Sequence, residues 1–113
     1  MARINYVELP AADIEAAKTF YGKAFGFEMA AFGPDYAATM TGDVDLGLNG
    51  DASDMTAAPL AVIEVEDLEA ALAAVTAAGG AITRPIFAFP GGRRFQFRDP
   101  NGNELAAVKS DAH

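Results

Sequence analysis

The apolar positions of this chain fall into two rhythms, and the two alternate in a fixed order. Ile4 to Leu9 and Leu60 to Val65 are extended apolar runs of strand length. Each is followed by apolar residues at spacings of three and four: Ile14, Ala17, Tyr21 and Ala24 in the first case, Leu68, Ala71, Leu72 and Val75 in the second. That spacing gathers them into one stripe on a helix. Asp13 and Asp67 stand where an N-cap is needed, and Glu15 and Glu69 lie in the first turn, where the helix dipole favours negative charge. Gly26 and Gly79-Gly80 follow and supply the left-handed conformation that ends a helix. Three short extended runs come next in each half. They are 27–32, 36–40 and 44–48, then 82–87, 94–98 and 104–108. The turns between them are Gly33-Pro34-Asp35, Thr41-Gly42-Asp43, Pro90-Gly91-Gly92 and Asp99-Pro100-Asn101-Gly102.

The order β-α-β-β-β therefore occurs twice. Asp13-Ile14-Glu15-Ala16-Ala17 recurs as Asp67-Leu68-Glu69-Ala70-Ala71 at an offset of 54, and the same offset carries Gly26 onto Gly80. Residues 3–49 form the first module, 50–58 a polar linker and 59–109 the second module, within a single domain of residues 1–113. One module alone is too small to close a core. The expected fold is α+β, with two tandem β-α-β-β-β modules forming a curved mixed sheet around a cavity and the helices outside.

Composition removes whole classes of chemistry. The 113 residues include no Cys, so no disulfide, thiolate metal site or thiol nucleophile is available. The single His is His113, which rules out a Ser-His-Asp triad and a multi-histidine metal site within one chain. Sixteen acids against eight bases give a formal charge of −8, which argues against nucleic acid and anionic membrane surfaces as partners. The excess is concentrated in residues 1–58, at −6. With no membrane span and no secretory leader, the expected location is cytoplasmic.

Asp13, Phe20-Tyr21 and Phe25-Gly26-Phe27 follow the pattern D-x6-F-Y-x3-[LF]-G-[FW], and Asp99-Pro100-Asn101-Gly102-Asn103 follows D-P-[DN]-G-[NHY]. On a duplicated β-α-β-β-β frame, these two motifs resemble the vicinal oxygen chelate superfamily over residues 3–109. That superfamily includes glyoxalase I (lactoylglutathione lyase), extradiol dioxygenases, methylmalonyl-CoA epimerase, fosfomycin resistance enzymes and bleomycin-sequestering proteins. The short glyoxalase/bleomycin resistance-like members are the most similar. The resemblance implies paired modules around a cavity and a homodimer.

It also implies a place for a metal, with one ligand on the first and one on the last strand of each module. Carried over residue by residue, those places fall on Tyr6, Gly47, Ala61 and Ala106. None supplies a His, Glu or Gln donor, so the expectation is no family metal and no cofactor. A carboxylate site for a hard cation through Glu8 and Glu104 stays open. Period-two alternation nominates Tyr6, Glu8, Ala61, Ile63, Arg94, Gln96, Glu104 and Ala106 as cavity-facing. The ligand-binding candidates are Tyr6, Glu8, Arg94, Gln96 and Glu104, a lining suited to a polar or aromatic small molecule. Phe87, Phe89, Phe95 and Phe97 are expected in the core or in dimer contacts, and Arg93 in a solvated hairpin.

Three functions remain in view. The first is an unidentified-small-molecule-binding protein without the family metal, including an antibiotic-sequestering form. The second is a lyase- or isomerase-type enzyme with Glu8 or Glu104 as general base, a role open to a carboxylate among apolar walls. The third is an interaction module with a vestigial cavity.

Overall fold

The computed structural model describes residues 2–111; His113 lies outside them. The elements are β1 (Arg3–Pro10), α1 (Ile14–Phe25), β2 (Met29–Ala31), β3 (Tyr36–Thr39), β4 (Asp45–Asn49), β5 (Leu60–Glu64), α2 (Leu68–Ala77), β6 (Ala81–Phe89), β7 (Gly92–Arg98) and β8 (Glu104–Ser110). The α+β order with two β-α-β-β-β modules is thus the observed one. No helix among the described residues is long and apolar enough to cross a membrane.

The chain divides into two compact units. One is Tyr6–Leu60; the other joins the residues up to Asn5 with those from Ala61 onward. In the first, strands run in the order β2-β3-β4-β1, with β2–β3 and β3–β4 antiparallel and β4–β1 parallel. In the second, the order β6-β7-β8-β5 repeats the same sequence of antiparallel, antiparallel and parallel pairings. The duplication read from the Asp and Gly punctuation is therefore also a duplication of hydrogen-bonding topology.

Local chemistry explains the boundaries. The Asp13 carboxylate accepts from the Ala16 N–H and that of Asp67 from the Ala70 N–H, each at 3.0 Å. These are N-caps at equivalent places in the two helices. Helix α1 ends on Gly26 at φ 72°, a left-handed cap that costs a glycine little. Asp99 organises the turn before β8. Its Oδ1 accepts from the N–H groups of Asn101 and Asn103 at 2.8 and 2.9 Å, and its Oδ2 from the Asn103 amide at 3.0 Å. Those bonds, the Asn103 side chain first, hold its carboxyl below the usual range. Asp99 is thus a turn device and not a reactive site. In the other unit, Asp45 binds the hairpin between β3 and β4. Its carboxylate accepts from the Thr39 and Thr41 hydroxyls and from the N–H groups of Thr41 and Gly42.

The core of the second unit gathers against α2. Leu68, Phe95, Phe97 and Ala107 are buried together, with Ile63, Val65, Leu72, Val75 and Leu105 packed against them. Helix α2 thus lies on the sheet face that carries Phe95 and Phe97. Arg93 reaches back to Glu69 on α2 through two hydrogen bonds, at 2.8 and 3.3 Å. It lies in the solvent-exposed hairpin expected of it, and from there ties the strand to the helix. Strand β6 ends the strand order, and Pro85 together with register shifts on both sides of Arg84 interrupts its pairing. Such interruptions discourage an edge strand from recruiting another chain.

Helix α1 has no buried residue. Ile14, Ala17 and Tyr21 are half-buried, but Ala24 is exposed, which corrects its expected place in the packed stripe. Lys23, Ala24 and Phe25 in the last turn of α1 are exposed, while Lys18 and Gly22 are half-buried.

Candidate functional site

Each of the two units carries a polar cluster on its sheet. In the Tyr6–Leu60 unit, the parallel register sets Glu8 against Gly47, and the hairpin register sets Ala38 against Gly47 and Tyr36 against Asn49. Residues paired across neighbouring strands share a sheet face. Tyr6, Glu8, Tyr36 and Gly47 are therefore on one face of β1, β3 and β4.

On that face the Tyr36 hydroxyl donates to Glu8 Oε1 at 2.9 Å, and the Tyr6 and Tyr36 hydroxyl oxygens are 2.6 Å apart. Glu8 is only 2% exposed. A carboxylate can only accept, so Tyr36 spends its one proton on Glu8 and Tyr6 is the donor to Tyr36. The chain of bonds runs Tyr6 to Tyr36 to Glu8. Burial, then the charge of Glu8 and the neighbouring Tyr6, push the Tyr36 phenol far above its ordinary range. It is a locked donor at any physiological pH.

Gly47 completes this cluster by what it lacks. A Cβ at this position would collide with the Tyr6 hydroxyl, and would come within 2.5 Å of the Tyr36 hydroxyl and 2.6 Å of Tyr6 Cζ. The two phenols fill the room that any side chain at 47 would need.

In the second unit, Gln96 pairs across strands with both Ala106 and Arg84, while Arg94 pairs with Val108 and Phe87. Arg94 donates to the Gln96 side-chain oxygen at 3.2 Å. The Gln96 amide donates to Glu104 Oε2 at 3.1 Å, and the Thr83 hydroxyl donates to the same oxygen at 2.7 Å. The Arg84 guanidinium carbon lies over the Phe87 ring, 3.6 Å from its centroid, with that of Arg94 5.3 Å from the same centroid. Phe87 and Phe89 are half-buried on this face, whereas Phe95 and Phe97 fill the core on the other. Arg94, Gln96 and Glu104 thus belong to one connected polar row.

Two nominated residues belong to the opposite face. Val62 pairs with Ala106, whereas Ala61 pairs with Leu105 and Ile63 with Ala107. Ile63 packs into the α2 core. Ala61 and Ile63 are therefore corrected from cavity-facing to helix-facing, and Val62 takes the face that carries Gln96 and Ala106. Leu60-Ala61-Val62-Ile63 is apolar throughout, so no alternation marks which residues point where. The correction also moves the carried-over metal position off Ala61, onto a neighbour that is equally pure hydrocarbon.

These residues do not fit the divalent ion of the family's metal-dependent members. Gly47 has no donor and no room for one. Ala106 is a fully buried methyl. Tyr6 is a neutral phenol whose proton is committed to Tyr36, a poor ligand beside a carboxylate or imidazole.

Tyr36 escaped the sequence reading, as did Thr83 and the Arg84–Phe87 stack. Tyr36 sits at the start of a predicted strand. Closing the hairpin on the Thr41-Gly42-Asp43 turn would have placed it beside residues 47 and 49, so the signal was present in the register.

The comparisons with known proteins agree with this architecture. Residues 3–107 match the model of the Glyoxalase/Bleomycin resistance protein/Dioxygenase superfamily. No curated protein sequence matches the chain. Among solved structures, a glyoxalase/bleomycin resistance protein/dioxygenase superfamily member from Vibrio splendidus 12B01 is similar at 20% identity and a TM-score of 0.72, covering 98% of this chain and 100% of that one. Methylmalonyl-CoA epimerase from Mycobacterium tuberculosis aligns at 16% identity and a TM-score of 0.75, over 96% of this chain and 88% of its own. The Mn(II)-bound glyoxalase from Novosphingobium aromaticivorans aligns at 21% identity and a TM-score of 0.70, over 96% of this chain but 40% of its own. At these identities the likeness to solved structures is one of fold. The match of the family model over nearly the whole sequence establishes that the chain belongs to the glyoxalase/bleomycin resistance protein/dioxygenase superfamily.

Proposed function

We propose that this protein binds a polar or aromatic small molecule through hydrogen-bonding side chains of its sheet faces and works without a divalent ion at the family's ligand positions. The observation that carries this reading is the Tyr6–Tyr36 hydroxyl pair occupying the room beside Gly47. The proposed contacts are Tyr6 and Glu8 within the Tyr6–Leu60 unit and, as a separate cluster within the other unit, Arg94, Gln96 and Glu104. Metal analysis of protein purified without added metal tests the first half of the proposal. The expected content is far below one ion per chain, and stoichiometric nickel, zinc, iron or manganese defeats it. A thermal-shift screen against small metabolites tests the second half, with stabilisation that Gln96→Ala or Tyr6→Phe diminishes as the expected result. A cytoplasmic, homodimeric protein completes the proposal, to be checked by fractionation and by sedimentation.

One observation favours a second reading, in which the protein is an enzyme. Glu8 is almost fully buried yet joined through Tyr36 to Tyr6, which gives a buried carboxylate a route for a proton. Glu104 is the other candidate base. Turnover of any substrate the screen identifies should then fall in Glu8→Gln and Glu104→Gln. Turnover unchanged in the double variant removes this reading.

A further inference from the structure

The chain holds four asparagines, and two of them, Asn49 and Asn101, are followed by glycine. An Asn-Gly link carries a latent reaction. The glycine nitrogen, with no side chain beside it, can reach the carbonyl carbon of the preceding side-chain amide. Asparagine is for this reason among the thermolabile residues. At Asn49 the fold closes every approach. The residue is 3% exposed. Its side-chain amide donates to Asp54 Oδ2 at 3.0 Å, and its side-chain oxygen accepts from the Asp51 N–H at 2.9 Å. The Gly50 N–H donates to the Asp35 carbonyl at 2.8 Å. Ile14 Cγ1 and the Ala11 carbonyl oxygen crowd Gly50, 2.7 and 2.9 Å from where a Cβ would lie.

Asn101-Gly102 is the opposite case. Both residues are exposed, in the turn between β7 and β8. Among the described residues no hydrogen bond holds the Asn101 side-chain amide, and only its backbone N–H is engaged, with Asp99 Oδ1. The Asn103 amide, two residues on, is instead held by Asp99 Oδ2 at 3.0 Å. The space around Gly102, at φ 84°, is open, with nothing within 4 Å of a Cβ position. One bond guards the glycine nitrogen, its donation to the Asp99 carbonyl at 3.0 Å. A single exposed turn bond opens at small cost.

We infer that Asn101 is a site of spontaneous deamidation in the folded protein, whereas Asn49 is preserved. The Gly102 nitrogen gives its proton to hydroxide and bonds to Asn101 Cγ. The Cγ–Nδ2 bond breaks, water returns a proton to the departing nitrogen, and ammonia leaves a five-membered imide. A water molecule then opens the ring at either carbonyl. Opening at the former side-chain carbonyl leaves isoaspartate or aspartate according to which C–N bond is cut: cutting the backbone-nitrogen bond at Cγ gives aspartate, and cutting at the backbone carbonyl gives isoaspartate. In isoaspartate the main chain runs through Cβ and is one methylene longer. The bonds from the Gly102 and Asn103 N–H groups to Asp99, and from Arg98 Nη1 to the Gly102 oxygen at 2.9 Å, all span that link. Isoaspartate therefore draws them out of register, just before β8 begins at Glu104. This chemistry needs no ligand and is independent of the small-molecule reading.

The test ages the whole chain at physiological temperature and mildly alkaline pH, folded and in parallel unfolded in urea, until the unfolded chain has reacted. Peptides are then mapped by mass. In the folded chain the peptide holding residue 101 should gain the mass of an amide-to-acid exchange and split into two products. It should do so about tenfold or more faster than the peptide holding residue 49. In urea the two should react at similar rates, because the protection of Asn49 is tertiary. Asn101→Gln, whose longer side chain closes a less favourable ring, should abolish the gain at that position. After equal ageing it should also keep the urea midpoint that the wild type loses. No gain at residue 101 in the folded chain, or equal gains at residues 49 and 101, overturns the proposal. Aspartate as the only product overturns the imide route. A wild-type midpoint that survives conversion at residue 101 overturns the loss of register in the turn.

Discussion

The hydroxyl of Tyr6 stands 2.6 Å from that of Tyr36, and both lie in the space a side chain on residue 47 would fill. A glycine at 47 and a tyrosine at 6 are consequently a matched pair, each permitted by the other. Gly47→Ala should destabilise the protein by about 1–3 kcal/mol through overpacking, read as a lower urea midpoint. In Tyr6→Ala/Gly47→Ala the cost should fall below the sum of the single changes by about 1 kcal/mol or more. Strict additivity would show that the two residues do not compete for that space. For the same reason Gly47→Glu alone should create no metal site.

Tyr36 makes alkaline stability a direct probe of the cluster. Its phenol titrates far above the ordinary value of 10.0 when folded. A group whose folded pKa is raised stabilises fully below its unfolded pKa, and that contribution is lost as pH rises toward the folded value. Stability should therefore begin to fall near pH 10 with a slope of about 1.4 kcal/mol per pH unit from this residue. Tyr36→Phe should remove that slope and cost about 1–3 kcal/mol at neutral pH, because buried Glu8 loses a donor. Urea titrations of both proteins between pH 8 and pH 11 check this. Equal alkaline slopes would refute the locked-donor description.

Asp45 gives the opposite sign at the acid end. Its slight burial raises the carboxyl, but donors from Thr41, Thr39 and Gly42 outweigh this and hold it below 3.8. A depressed pKa stabilises above the unfolded value and is lost as pH falls through the folded one. Asp45→Asn should weaken the protein at pH 7 by about 0.5–2 kcal/mol, the scale of a lost cap. The gap to wild type should narrow below pH 4. A gap that stays constant down to pH 2 would assign the effect to packing and not to the charge.

Phe95 is fully buried in the α2 core, 5.9 Å from Phe97. Phe95→Ala should cost about 3–5 kcal/mol, enough to unfold much of a domain this small at ambient temperature. Phe20→Ala, at an exposed ring, should cost under about 1 kcal/mol. Comparable losses at the two sites would contradict the contrast between the packed α2 core and the open α1 surface.

Much of this fold was legible from local chemistry. The caps at Asp13 and Asp67, the left-handed Gly26 and the Asp99 turn each act within a few residues, so their effect is written in the sequence around them. Their recurrence at an offset of 54 made the module order readable as well. The near-empty donor set was also legible, because Gly47 and Ala106 carry no side-chain donor in any conformation.

What the chain alone left open required strands to meet. In Leu60-Ala61-Val62-Ile63 both faces are apolar, so only pairing with β8 decided that Val62, and not Ala61, shares the face of Gln96 and Ala106. In α1, periodicity gathered Ala24 into the stripe, but the tertiary structure leaves it exposed. Tyr6, Tyr36 and Glu8 span 30 residues of sequence and become one hydrogen-bonded chain only because β1 and β3 both flank β4. The sequence determined that the carried-over ligand positions hold no donor side chain beyond one phenol. The tertiary structure decided what occupies their place, because two phenols can share a small space only when the register of three strands brings them there.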